Sequence, residues 1–326
     1  VDLLYLTRSG LGIPDYWHPR LELQTDFLCG EIGRYPFSMD VKADYIGELD
    51  GEGVPISFEG GKPYGNPVNV ALFGLGSHDA FVRTGDERYG QQMKNALTWL
   101  DRHGTRLGDG IGWANPKQKP AFRLRTPWFS AITQGFVLSL LVRAHRLARG
   151  SDGLQWAELA KATLLGLRAP IEEGGVCRRV GGGVIYEEYP GPELDCVFNG
   201  MCHALIGLWE SWQSGVVTEA EADFQVGVDG LRTLLTQFDH HGWSLYSLNQ
   251  CLGRPLLASP YYHRANGLLA TIVGLMGAGQ EFLSYGEQWL QSDRSVLRRI
   301  AMSLRIGFER YRGQPSLFAP DMSKRF

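Results

Sequence analysis

Segments with a helical apolar period follow one another in pairs along this chain, and the pairs are separated by loops rich in glycine or proline, such as 104–127 and 174–183. The period predicts helices over 66–83, 89–103, 129–149, 154–169, 195–214, 218–238 and 262–277. Within 130–149, Ala131, Phe136, Leu138, Leu141, Val142 and Leu147 form a broad apolar stripe, and Arg143, Arg146 and Arg149 gather on another side. Helical hairpins repeated in this way tend to close into a ring with their loops around one open end. The expected fold is therefore mainly α: an α/α toroid, an incomplete barrel of helical hairpins, over 65–326, with a small β-rich N-terminal arm over 1–64. The arm is expected because 21–63 is rich in Gly, Pro and Asp, and Val-Lys-Ala-Asp-Tyr at 41–45 alternates as a half-buried strand would. The 42 glycines suit long irregular loops over a helical wall, where chemistry is to be sought.

Composition narrows the function. With 44% hydrophobic and 21% charged residues the chain can bury a core, and no apolar run approaches the roughly 18 residues of a membrane helix. Lys plus Arg at 32 against Asp plus Glu at 35 leaves a net charge of -3, hence no global attraction for nucleic acid or other polyanions. A polyanionic ligand would need a local patch. The best candidate is 116–127, which carries Lys117, Lys119, Arg123 and Arg125 and no acid, although a solvated loop reads the same way.

Five cysteines form no CxxC pair and are odd in number, so reduced, mostly buried thiols are expected rather than a disulfide framework. No HExxH or P-loop pattern occurs and His240-His241 has no ligand partners at metal spacing, so neither a metal nor a cofactor is expected. Val1 to Gly10 show no basic stretch followed by an apolar run, from which a cytoplasmic protein is expected, with the true N-terminus left open by the missing initiator Met.

Three loops concentrate acid–base groups. The densest is 184–190, Val-Ile-Tyr-Glu-Glu-Tyr-Pro, after three glycines. On a strand Tyr186 and Glu188 would share one face, and Glu187 and Tyr189 the other. An edge strand with aromatic packing and solvated glutamates is the plain alternative. Tyr246 in 242–247 and Tyr262 in 259–264 lie in two further Tyr-rich loops, each equally readable as aromatic packing. The helix starts at 65–75 and 126–135 offer free N–H groups to an anion or a sugar hydroxyl, or are simply capped.

In order along the chain, Asn66-Pro67-Val68-Asn69-Val70-Ala71, Trp128-Phe129-Ser130-Ala131 with Gln134-Gly135, the Glu-Glu-Tyr-Pro of 187–190, Val197-Phe198-Asn199-Gly200 and Tyr262-His263 resemble the D-glucuronyl C5-epimerase family. Its members convert D-glucuronate to L-iduronate within heparosan or heparan sulfate, and the resemblance covers roughly 60–290. It implies a cofactor-independent isomerase in which Glu188 and Tyr189 form a catalytic pair, joined by Tyr262 and Tyr246. Substrate contacts are expected from Lys117, Lys119, Arg123, Arg125, Gln134, Tyr186, Asn199, His263 and Arg264. A glucuronate-containing polysaccharide is the implied partner, and a homodimer would be consistent with the family.

The chain also departs from that pattern. The β-barrel domain of animal members is absent, since 81–91 is a short turn. The family's Tyr-Asp-Leu-Arg-His is Tyr246-Ser247-Leu248-Asn249-Gln250 here, and a family His is replaced by Asn266; Arg264 or Arg125 is expected to supply the missing charge.

Inverting C5 requires removing a proton from one face of the ring and returning one to the other, so two acid–base groups must flank it. Three other functions fit the same residues. A lyase would remove the same proton and eliminate the C4 substituent. A glycoside hydrolase would pair Glu188 with Glu187 or Asp195. A non-enzymatic carbohydrate-binding protein would use 9 Trp and 13 Tyr for stacking.

Overall fold

A computed structural model describes residues 3–30, 32–148 and 151–311. The fold is mainly α. Its helices are α1 (Leu3–Leu11), α2 (Pro67–Thr84), α3 (Glu87–His103), α4 (Ala131–Leu147), α5 (Ser151–Leu167), α6 (Phe198–Gln213), α7 (Ala220–Leu234), α8 (Pro260–Val273), α9 (Gln280–Asp293) and α10 (Val296–Tyr311). Short antiparallel strands occupy the connections: β1 (Ile56–Glu59) with β2 (Lys62–Gly65), β3 (Thr105–Leu107) with β4 (Gly110–Gly112), and β5 (Cys177–Val180) with β6 (Gly183–Tyr186). The fourth sheet runs β7 (Asp239–His240), β8 (Trp243–Ser247), β9 (Leu256–Leu257).

Helices α2, α4, α6 and α8 pack in succession as an inner row, and each lies against the helix that follows it, α3, α5, α7 and α9. The two central inner helices are buried nearly all round: α4 buries thirteen of its seventeen residues and α6 fourteen of its sixteen. Helix α3 instead buries a single stripe, Tyr89, Met93, Ala96, Leu97, Trp99 and Leu100. The rows approach closely where glycine faces glycine. A Cβ on Gly135 would meet the backbone of His203 and Ala204 at 2.4–2.7 Å, and one on Gly207 would meet Gly135 at 2.4 Å, so α4 and α6 touch backbone to backbone.

Two features differ from the sequence expectations. Residues 41–45 form no strand; Asp40–Ala43 is a 3-10 turn packed on α2, which buries the consecutive residues Lys42 and Ala43 rather than alternate ones. Arg143 does not join a solvated basic face. It is fully buried and forms a bidentate ion pair with Glu210 of α6 at 2.7 and 2.8 Å, the geometry that makes a buried guanidinium tolerable. Arg149 lies outside the described residues. Three helices, α1, α9 and α10, lie outside the segments the sequence period marks. The cysteines are free, with Cys29 exposed and Cys196, Cys202 and Cys251 buried. Among the described residues no helix is long and apolar enough to cross a membrane.

Candidate active site

The connection from β6 to α6 is fixed before it reaches its acid–base pair. Tyr186 ends β6 in the core, its hydroxyl donating to the Asp223 carbonyl at 3.0 Å. Glu187 turns inward, where its carboxylate accepts from the backbone N–H of Asp195 (3.2 Å) and Cys196 (2.9 Å) and from Arg178 Nε (3.1 Å). Burial pushes its pKa up and Arg178 opposes that rise. Ala131 N–H donates to the Glu187 carbonyl and Ser130 Oγ to that of Glu188, stapling the segment to the start of α4. The strand alternation expected for 186–189 therefore stops at Tyr186, and Glu187 is a structural clasp.

Glu188 is left pointing at the first turn of α6. It is 7% exposed, and a Cβ on Gly200 would lie 2.5 Å from its Oε2. That oxygen is buried without a hydrogen-bond partner, as is Oδ1 of the neighbouring Asn199. Burial raises the Glu188 pKa to about 7, moderated by a hydrogen-bonding contact with the Tyr189 hydroxyl and by the charge of Lys119.

Tyr189 is half-buried, stacked on Phe122 with ring centroids 4.1 Å apart and tilted against Trp128 at 5.7 Å; Lys119 Nζ stands 5.6 Å from its ring centre. Tyr246 arrives on β8, held by the bridge between Val197 and Ser247. Tyr262 lies in the first turn of α8, whose N-cap Ser259 accepts from the Tyr262 N–H at 3.4 Å. The rings of Tyr246 and Tyr262 meet edge to face at 5.1 Å. Burial raises all three phenol pKa values well above the usual range, and the Glu188 charge adds to the rise for each. The four side chains thus form one cluster: a carboxyl poised near neutrality among three phenols held in the neutral form.

The expected substrate contacts divide. Asn199, Lys119 and the aromatic residues around Tyr189 belong to the cluster's surroundings. Lys117 pairs with Glu59 at 3.4 Å, Arg123 pairs with Glu193 at 2.5 Å, and Arg125 is exposed. Three expectations are corrected. Gln134 is buried and its amide donates to the Ile111 carbonyl at 2.9 Å. Tyr186 is bound in the core as described. His263 is stacked on Trp243 at 3.7 Å, with Nδ1 accepting from Ser244 N–H, and burial lowers its pKa to about 3, so it carries no charge for a carboxylate. Packing buries these three, Gln134 and His263 on helices and Tyr186 at the end of β6, and a motif cannot distinguish them from site residues. Arg264 is exposed and 3.6 Å from Asp293. Asp195, offered as a hydrolytic partner, is buried and accepts from Cys251 N–H.

Sequence reasoning missed Phe122 and two residues contributed by the N-terminal segment. Tyr5 Oη lies 2.8 Å from Ser259 Oγ, and the His18 ring is 6.3 Å from that of Tyr262. Nothing local in the sequence links these residues to α8, which lies about 250 positions away.

Known proteins are similar to this chain in sequence and in fold. A D-glucuronyl C5-epimerase from Caenorhabditis elegans is 27% identical over 222 residues, which are 63% of this chain and 35% of that protein, so the chain spans about a third of this relative's length. In fold the chain is similar to a crystal structure of D-mannose isomerase, with a TM-score of 0.52 at 10% identity over 83% of this chain and 69% of that one. Residues 112–291, which carry Glu188 and all three tyrosines, match the family model described as D-glucuronyl C5-epimerase C-terminus. That match takes in more than half of the chain, and the protein belongs to this family.

Proposed function

We propose that the protein is a cofactor-independent C5-epimerase that converts D-glucuronate to L-iduronate residues in a heparosan-like polysaccharide. The observation that carries this reading is the convergence of one buried carboxyl, with its pKa near 7, on three neutral phenols from separate loops. The four-hairpin array is read as an incomplete α/α toroid that presents these loops at one end.

In this mechanism Glu188 takes the C5 proton: the C–H bond breaks, its electron pair moves toward the uronate carboxyl, and a proton is left on Glu188. The resulting enolate is stabilised by hydrogen bonds from neutral Tyr189 and Tyr246, donors that strengthen as charge develops. Tyr262, which joins the cluster from the first turn of α8, delivers its phenolic proton to C5 on the other face. Solvent then reprotonates the Tyr262 oxygen and accepts the proton from Glu188. Burial suits each role, because it raises the carboxyl into the range of a base active at neutral pH and keeps the phenols as acids. Glu187 and Asp195 are occupied by protein donors, which does not favour a hydrolytic carboxylate pair.

Heparosan incubated in deuterated water should gain deuterium at C5 together with iduronate signals in its NMR spectrum. Glu188→Gln should slow this by about 10²- to 10⁴-fold, and Tyr262→Phe comparably. Because the base must be ionised, exchange in the wild type should fall as pH drops through about 7. Absence of exchange in every uronan would end the proposal; unsaturated ultraviolet-absorbing ends would indicate a lyase instead, and new reducing ends a hydrolase.

A further inference from the structure

A second recess adjoins Tyr262. A cavity of about 460 Å³ opens between α1, the chain following it and the start of α8, within the size range of about 300–1,000 Å³ for small-molecule sites. Its N-terminal wall lies outside the segment matched to the family. Arg8, Arg20, Arg264 and Arg299 line it, together with the rings of His18 and Tyr261.

The acids on the wall are largely engaged. Asp15 accepts from the backbone N–H groups of Trp17 and His18 and from the His18 ring, and Asp293 is buried beside Arg264. Glu22 is exposed at the rim. Among the described residues neither Arg8 nor Arg20 has a carboxylate within ion-pair distance. Arg8 donates through Nη2 to the Pro14 carbonyl at 3.0 Å, while its Nε is buried with no partner. A buried guanidinium N–H without an acceptor is costly in a finished protein, and an arriving anion would satisfy it.

The aromatic wall runs on into the catalytic cluster. Tyr261 contacts His18 at 4.8 Å and Tyr262 at 5.4 Å between ring centroids. A pyranose with a negative charge suits both halves of the recess, its ring against Tyr261 and His18 and its carboxylate on the guanidinium groups. We infer that this recess is a subsite for a second uronate residue of the polysaccharide, the next uronate along the chain and one hexosamine removed from the one undergoing inversion, with Arg8 and Arg20 as its carboxylate ligands. The inference rests on the epimerase reading for the identity of the polymer.

The test is calorimetric titration of the full chain with a heparosan hexasaccharide, a sulfated heparan hexasaccharide and neutral chitohexaose. The heparosan hexasaccharide should bind the wild type and chitohexaose should not. Arg20→Ala and Arg8→Gln should each weaken binding roughly tenfold, the loss of one charge-assisted contact, with unchanged thermal melting. Arg20 is exposed, so its variant tests the site even if Arg8→Gln fails to fold. Unchanged affinity in Arg20→Ala, or no binding of the hexasaccharide to the wild type, overturns the subsite. Binding of the sulfated oligosaccharide alone overturns the carboxylate assignment. C5 exchange measured in parallel separates the two readings: binding that depends on Arg8 and Arg20 without exchange defeats the epimerase and leaves the subsite, and normal exchange with binding indifferent to both does the reverse.

Discussion

A methyl group at position 200 would have to occupy space held by Glu188, whose Cβ and Oε2 lie 2.6 and 2.5 Å from it. Ala is favoured over Gly in a helix by up to about 1 kcal/mol, which offsets the cost of the new contact, so Gly200→Ala should leave the melting temperature nearly unchanged. Its expected effect is on rate: a displacement of about 1 Å in the base should cost about 10²-fold in C5 exchange. A variant with wild-type exchange would mean that Glu188 need not sit where it does.

The raised Glu188 pKa has a stability consequence of definite sign. Folding favours its protonated form, so its contribution is fully present below about 4.5, the ordinary value, and is lost as pH rises to about 7. Glu188→Gln should therefore match the wild type near pH 4.5 and exceed it at pH 8, by about 3 kcal/mol at most, in denaturant unfolding at the two pH values. At this scale the sequence was informative where chemistry is unusual: Glu-Glu-Tyr-Pro marked the segment that carries the proposed base. Strand alternation could not say which glutamate faces the cluster, because the turn after Tyr186 breaks the pattern from which faces are counted; only the family resemblance singled out Glu188.

Among the elements, the contact between α4 and α6 depends on a buried charge pair as well as on facing glycines. Arg143→Met leaves Glu210 without its cation in the core and should destabilise the protein by about 3–5 kcal/mol, measurable as a shift in the denaturant midpoint. The helical period located seven helices within a few residues of their observed limits, because each is long enough to repeat its stripe. It misplaced Arg143 because an inner helix has no solvent face, and an arginine with a distant partner is indistinguishable in sequence from one in water. The strand expected at 41–45 shows the converse problem: five alternating residues fit a 3-10 turn against a helix equally well.

For the molecule as a whole, the matched segment 112–291 leaves out α1, α2, α3 and α10. Yet α4 packs on α2, and α8 packs on α1 and α10. A fragment limited to 112–291 should therefore fail to give a cooperative thermal transition by circular dichroism; a sharp melt would show that the outer elements are dispensable. The order of the helical hairpins was legible because neighbours in sequence are neighbours in space. The closure by α1 was not, since its partners are distant: Ser9 accepts from Tyr261 N–H, and Arg299 donates to the Gly10 carbonyl. These contacts span 252 and 289 positions. During synthesis α1 therefore emerges long before anything exists for it to dock against, and it must wait in solution while the intervening hairpins assemble. The side of the cluster next to Tyr262 is completed only once α8 and α10 have been made and α1 has docked on them, which makes that side late to mature in every newly made copy.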